Sequence, residues 1–194
     1  MTDVERSWQR IMAWLEEHAP LTARTIRAPD ADAGAFEDEV GIAFPAELHA
    51  WWGLMGGVDI DRDYRAGFCV PPFSMPLSVA RARHEYASLA VSPDPTCCGP
   101  GRQHQREAGD RGGNYCFALV PIARDVCGDV LAVDLRPGDR HGHVMSWYAE
   151  EGFRPDKWSD VGTMLRYTAD CFDPGGTEDV PLVNEEGFLR WDRR

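Results

Sequence analysis

Lysine is almost absent from this chain. Lys157 is the one lysine among 20 basic residues, set against 32 Asp and Glu, for a formal net charge of -12 over 194 residues. That balance leaves no material for a broad basic surface, and so argues against binding nucleic acid through its phosphates. Long apolar runs are missing too. No stretch approaches the roughly 20 apolar residues of a membrane span, and the opening Met1-Thr2-Asp3-Val4-Glu5-Arg6 is charged where a signal peptide would turn apolar. The expectation is a cytoplasmic protein without membrane contact, whose six cysteines are reduced thiols, mostly small buried apolar groups. An acidic chain is drawn to basic partners and repelled by anionic lipid, although acidity also simply keeps a protein in solution.

The motifs of common enzyme and metal sites are also missing. There is no Gly-x-Ser-x-Gly nucleophile elbow and no glycine-rich phosphate loop ending in lysine. Asp59-Ile60-Asp61-Arg62-Asp63 opens like a calcium loop, but Tyr64 and Val70 stand where Gly and Glu are required. Cys97, Cys98, His104, Cys116, Cys127, His141 and His143 invite a zinc reading. No Cys-x-x-Cys pair exists, however, and adjacent cysteines rarely chelate together. The expectation is therefore no metal and no cofactor. Asp125, Asp129 and Asp134 fall around one hairpin, where turn chemistry explains the first two; Asp134, a charge inside an apolar strand, is expected on a half-exposed sheet face.

What is present is a strand-rich centre between helices. Phe117 to Ala123, Val130 to Leu135 and Gly142 to Tyr148 read as three strands joined by turns at Cys127-Gly128-Asp129 and Arg136-Pro137-Gly138-Asp139, hence an antiparallel meander. Pro121 cannot donate to a ladder, so a bulge is expected there. Thr2 and Glu5 form a capping box before Val4, Trp8, Ile11, Met12 and Leu15 at helical spacing, a helix to about His18. Asp30 or Asp32 caps a second helix ending at Gly41, and Pro45 opens a third with Leu48, Trp51, Trp52 and Met55. Trp51 and Trp52 lie about 100° apart on that helix, so one is expected at the rim of the core. A short strand is expected near Phe68-Cys69-Val70. Ser78 and Ser159 cap further helices, residues 92–113 read as a long exposed loop, and residues 180–192 as a terminal hairpin. Helices, then strands, then a helix make an α+β fold, with a mainly antiparallel sheet and helices on one side, in one domain over 1–194.

The order of these elements, with Gly41-Ile42-Ala43-Phe44-Pro45-Ala46-Glu47-Leu48, Trp52-Gly53-Leu54-Met55-Gly56-Gly57, Leu77-Ser78, Val120-Pro121-Ile122-Ala123-Arg124-Asp125, Gly128-Asp129 and Val133-Asp134, resembles the SUKH superfamily over roughly residues 4 to 172. The branch it resembles is named after fungal regulators of cell-wall glucan synthesis. The resemblance implies a protein-binding role rather than catalysis, with no shared catalytic residues to carry over. Many bacterial members are immunity proteins that neutralise an exported toxin; others are intracellular regulatory or scaffold domains, and an enzyme is a distant third. For an immunity protein, a basic toxin domain is the expected partner. The expected contacts are Asp59, Asp61 and Asp63, with Asp134 and an exposed aromatic, Trp147, adding to them from the sheet face.

Overall fold

A computed structural model describes residues 1–29, 31–60, 64–91, 93, 95, 97, 98, 104–112, 114–148 and 151–194. The first helix, α1 (Asp3–His18), starts at the capping box: the Thr2 side chain accepts from Glu5 N–H and the Glu5 carboxylate accepts from Thr2 N–H. Its inner face buries Val4, Trp8, Ile11 and Leu15. A one-turn helix, α2 (Pro20–Ala23), follows. Then come α3 (Ala33–Val40), capped by Asp32 and closed by Gly41 at φ 73°, and α4 (Ala46–Trp52), with Pro45 as its N-cap. Both Trp51 and Trp52 are buried, contrary to the expectation of a rim position. Helix α4 packs against α1 on one side while Trp52 meets Phe36 and Phe44 on another and donates to the Leu77 carbonyl, so directions 100° apart both lead inward.

No strand forms at residues 68–70, where the chain turns; the first strand is β1 (Met75–Pro76). Helix α5 (Val79–Leu89), capped by Ser78, leads on to β2 (Leu119–Arg124), β3 (Val130–Asp134), β4 (Val144–Tyr148) and β5 (Gly152–Trp158). The five strands form one antiparallel sheet in the order β1-β2-β3-β4-β5. The meander is as expected, and so is the bulge, where the β2–β3 register shifts between Pro121 and Ala123. Strand β5 was not expected. Its sequence, Gly-Phe-Arg-Pro-Asp-Lys-Trp, has no apolar alternation, and as an edge strand it tolerates a proline.

Helix α6 (Val161–Cys171) is capped by Asp160, one residue after the expected Ser159, and packs on α1, α4 and β5. The terminal hairpin is present as β6 (Asp179–Val183) and β7 (Leu189–Arg193), a separate two-stranded sheet. It is tied to the body by Leu189 N–H to Thr22 Oγ1 at 2.8 Å and by Trp191 Nε1–H to the Cys69 carbonyl at 3.2 Å. Among the described residues no helix is long and apolar enough to cross a membrane.

Candidate functional site

The residues singled out from sequence part company in the structure. Asp59 is half-exposed, held by an ion pair to Arg27 at 2.9 Å and by its N–H to the Thr25 carbonyl at 2.6 Å. Gly56 N–H to the Arg27 carbonyl and Arg27 N–H to the Gly57 carbonyl bind the same two segments together, so the start of the acidic loop sits on an ordered base. Asp61 and Asp63 lie outside the described residues.

Asp134 is not on a half-exposed face; it is fully buried. Residues two apart on an extended chain point the same way, and Arg136, also fully buried, projects beside it. The Asp134 carboxylate accepts from Arg136 Nε at 2.9 Å, Nη2 at 2.7 Å and backbone N–H at 3.1 Å. It also accepts from Gly109 N–H at 2.8 Å, while Arg136 Nη2 donates to the Asp110 carbonyl at 2.9 Å. Burial alone would weaken the guanidinium's hold on its proton, but hydrogen bonding and charge from Asp134 outweigh it and raise its pKa. The pair is thus a buried clamp that holds residues 109–110 against the sheet, with no surface to offer a partner. Trp147 is not an exposed anchor either. It is half-buried, packed edge-to-face on Tyr115 with ring centres 5.7 Å apart.

The stretch read as an exposed loop contributes to the interior among its described residues. Cys97 is 1% exposed and Ala108 6%. Gly112 accepts from Phe153 N–H, and Pro93 pairs with Tyr115 in a parallel bridge. This packing assembles a group that the sequence reading discounted. An antiparallel bridge between Cys98 and His104, with Gln105 N–H bonded to the Cys97 carbonyl, sets Cys97, Cys98 and His104 side by side. Cys116 joins them from the chain just before β2. Cys116 Sγ lies 3.5 Å from both Cys97 Sγ and Cys98 Sγ, and 3.4 Å from His104 Nδ1; one potential ligand atom from each of the four residues falls within 4.8 Å of the others.

The environment favours one thiolate in this group. Cys97 is lowered to about 5 by its hydrogen bond with Cys116, working against burial and helped by His104 and Arg136. Cys116 is pushed far up by the same bond and by burial, and burial raises Cys98. His104 also borders a groove of about 640 Å³ lined by Val40, Ile42, Phe117, Leu135 and His141. Three soft sulfur donors and an imidazole within a few ångströms can hold a divalent cation.

Residues 27–172 match the SMI1 / KNR4 family (SUKH-1), three quarters of the chain. The chain belongs to that family. No curated protein matches it. The match runs from the segment before α3 to the residue after α6, which takes in the whole five-stranded sheet and leaves out α1 and the terminal hairpin. SUKH members are generally non-enzymatic, in keeping with a scaffold whose buried charges serve the fold.

Proposed function

We propose that this SUKH-1 protein is a non-catalytic binding module that acts as an immunity protein, neutralising a cognate toxin by occluding it. The family match over residues 27–172 carries the reading. The net charge of -12 supports a basic toxin domain as partner, because a basic cleft evolved for nucleic acid attracts an acidic blocker over distance and raises the encounter rate. The acidic loop Asp59, Asp61 and Asp63 is the proposed contact, with Asp59 held by its ion pair to Arg27; Trp147, packed on Tyr115, is not part of it. Asp134 drops out, being enclosed.

The test is rescue of growth. The neighbouring genes are read first, and a toxin-like domain found there is expressed in a naive host with and without this chain; survival only with it supports the reading. Persistent killing despite soluble expression of both proteins refutes it. The rescued pair then permits a finer measurement, association rate against ionic strength. Reversing Asp59, Asp61 and Asp63 to Lys adds two charges at each position and moves the net charge from -12 to -6. It should slow association about tenfold at low salt and flatten the salt dependence, with the fold intact. Equal rates and slopes for variant and wild type would remove that loop from the interface.

A further inference from the structure

We propose that Cys97, Cys98, His104 and Cys116 form a closed, structural zinc site. The geometry is that of chelation. A tetrahedral zinc with Zn–S near 2.3 Å and Zn–N near 2.0–2.1 Å places its sulfurs about 3.8 Å apart and its sulfur and nitrogen about 3.6 Å apart. The contacts of Cys116 to its three neighbours, 3.5, 3.5 and 3.4 Å, lie close to those separations, and the spread of the whole set stays within 4.8 Å. A disulfide would need about 2.05 Å, and all six cysteines are free thiols.

The donor set selects the metal. Three thiolates and one imidazole fill a tetrahedron completely, which leaves no open position for substrate or water and suits a structural rather than a catalytic ion. Binding displaces the protons of Cys98 and Cys116, the two thiols raised by burial and by their neighbours, and all three sulfurs coordinate as thiolates. Three thiolate charges against Zn²⁺ leave the site at a net charge of minus one.

A second observation points the same way. The Arg136 Nε and Nη2 groups are spent on Asp134 and Asp110, but its buried Nη1 has no hydrogen-bond partner among the described residues. The guanidinium interacts electrostatically with both Cys97 and Cys116. A buried cation whose remaining donor faces Cys97, set beside a cluster that becomes anionic on loading, gives a thiolate site outer support.

The backbone explains how an unusual spacing works. Cys97 lies in a turn and Cys98 in the isolated bridge to His104, so the two adjacent residues do not diverge as they would along a regular strand. Leu119 N–H bonds the Cys116 carbonyl at 3.0 Å, which fixes the fourth ligand at the entrance to β2. The metal would pin Cys97, Cys98 and His104 to Cys116 at the entrance to β2 and brace the wall of the groove beside His104.

The experiment needs no partner and is independent of the immunity reading. The full chain is expressed in zinc-replete medium, purified with a reductant and dialysed, and its metal content is measured. About one zinc per chain is expected. After removal of metal by a chelator under reduction, the wild type should take up about one Co²⁺, with thiolate-to-cobalt charge-transfer absorption and the intense visible bands of tetrahedral cobalt. Cys127→Ser, an exposed position outside the group, should behave as wild type. Cys97→Ser and His104→Ala should each weaken zinc at least about tenfold. The proposal falls if the reduced wild type binds neither ion. It falls equally if copper or iron is found at one per chain in place of zinc, or if thiols trapped at lysis show Cys116 in a disulfide. The wild-type cobalt titration decides the matter even if the variants fail to fold.

Discussion

Removing one partner from the Asp134–Arg136 pair should be the most damaging small change available in the sheet. Both side chains are at 0–1% exposure, so the charge left behind in Asp134→Ala has no route to water. The Arg136 guanidinium would lose its carboxylate partner and keep the Asp110 carbonyl, and Gly109 N–H would lose its acceptor. Breaking a buried pair in this way costs about 3–5 kcal/mol. For a chain of this size each kcal/mol lowers Tm by about 2–4 °C, so the fall should be roughly 6–20 °C. Arg136→Met should cost a similar amount, because the buried carboxylate would keep two backbone N–H donors but no counter-charge. The double variant removes both charges, and its loss should fall short of the summed single losses by about 2–3 kcal/mol. Urea unfolding followed by tryptophan fluorescence measures all four proteins, and hydrogen exchange at the Gly109 amide should quicken in every variant lacking Asp134. Additive losses within about 0.5 kcal/mol, or a single loss under about 1 kcal/mol, would refute the buried-clamp argument.

Two further outcomes follow from caps and surface ionisation. Asp160 caps α6 by accepting from Thr163 N–H; burial would raise its pKa, but this bond together with those from the Ser159 and Thr163 hydroxyls brings it below the usual range. Asp160→Ala should therefore cost about 1 kcal/mol in urea unfolding at neutral pH, and Asp160→Asn much less. Glu37 is lowered first by Phe44 N–H and next by His49. With the folded value below the unfolded 4.5, its contribution is complete above that pH and is lost as the pH falls through the lower folded value. Unfolding free energy plotted against pH from 6 to 3 should be flatter in Glu37→Gln, and an unchanged slope would contradict the assignment.

Much of the fold was legible because its boundaries are chemical. Thr2 with Glu5, Asp32 with Gly41, and Ser78 each supply a local hydrogen bond or backbone conformation that needs no tertiary context. Pro121 announced a bulge for the same reason. Strand β5 was hidden because Arg154, Pro155, Asp156 and Lys157 erase the alternation, and only pairing with β4 makes it extended. The state of Asp134 turned on a signal that was in plain sight, an opposite charge two residues along at Arg136. The thiol–imidazole group had no such signal. Its members are gathered by the Cys98–His104 bridge and by the approach of Cys116, neither of which leaves a periodic trace in the sequence.

The terminal hairpin imposes a schedule on the newly made chain. Thr22 receives the Leu189 amide across a separation of 167 residues, and the Cys69 carbonyl receives the Trp191 indole across 122. At about 5–20 residues per second, roughly 10–30 s pass between synthesis of the α2 segment and synthesis of the strand that covers it. Until then Thr22 and, from the time each is made, the Cys69 turn and the face of Phe172 that Trp191 will pack against are open to water or to chaperones. Once β7 docks, the α2 segment and the hairpin are fastened to each other, and neither can leave its place without breaking the bonds that hold the other.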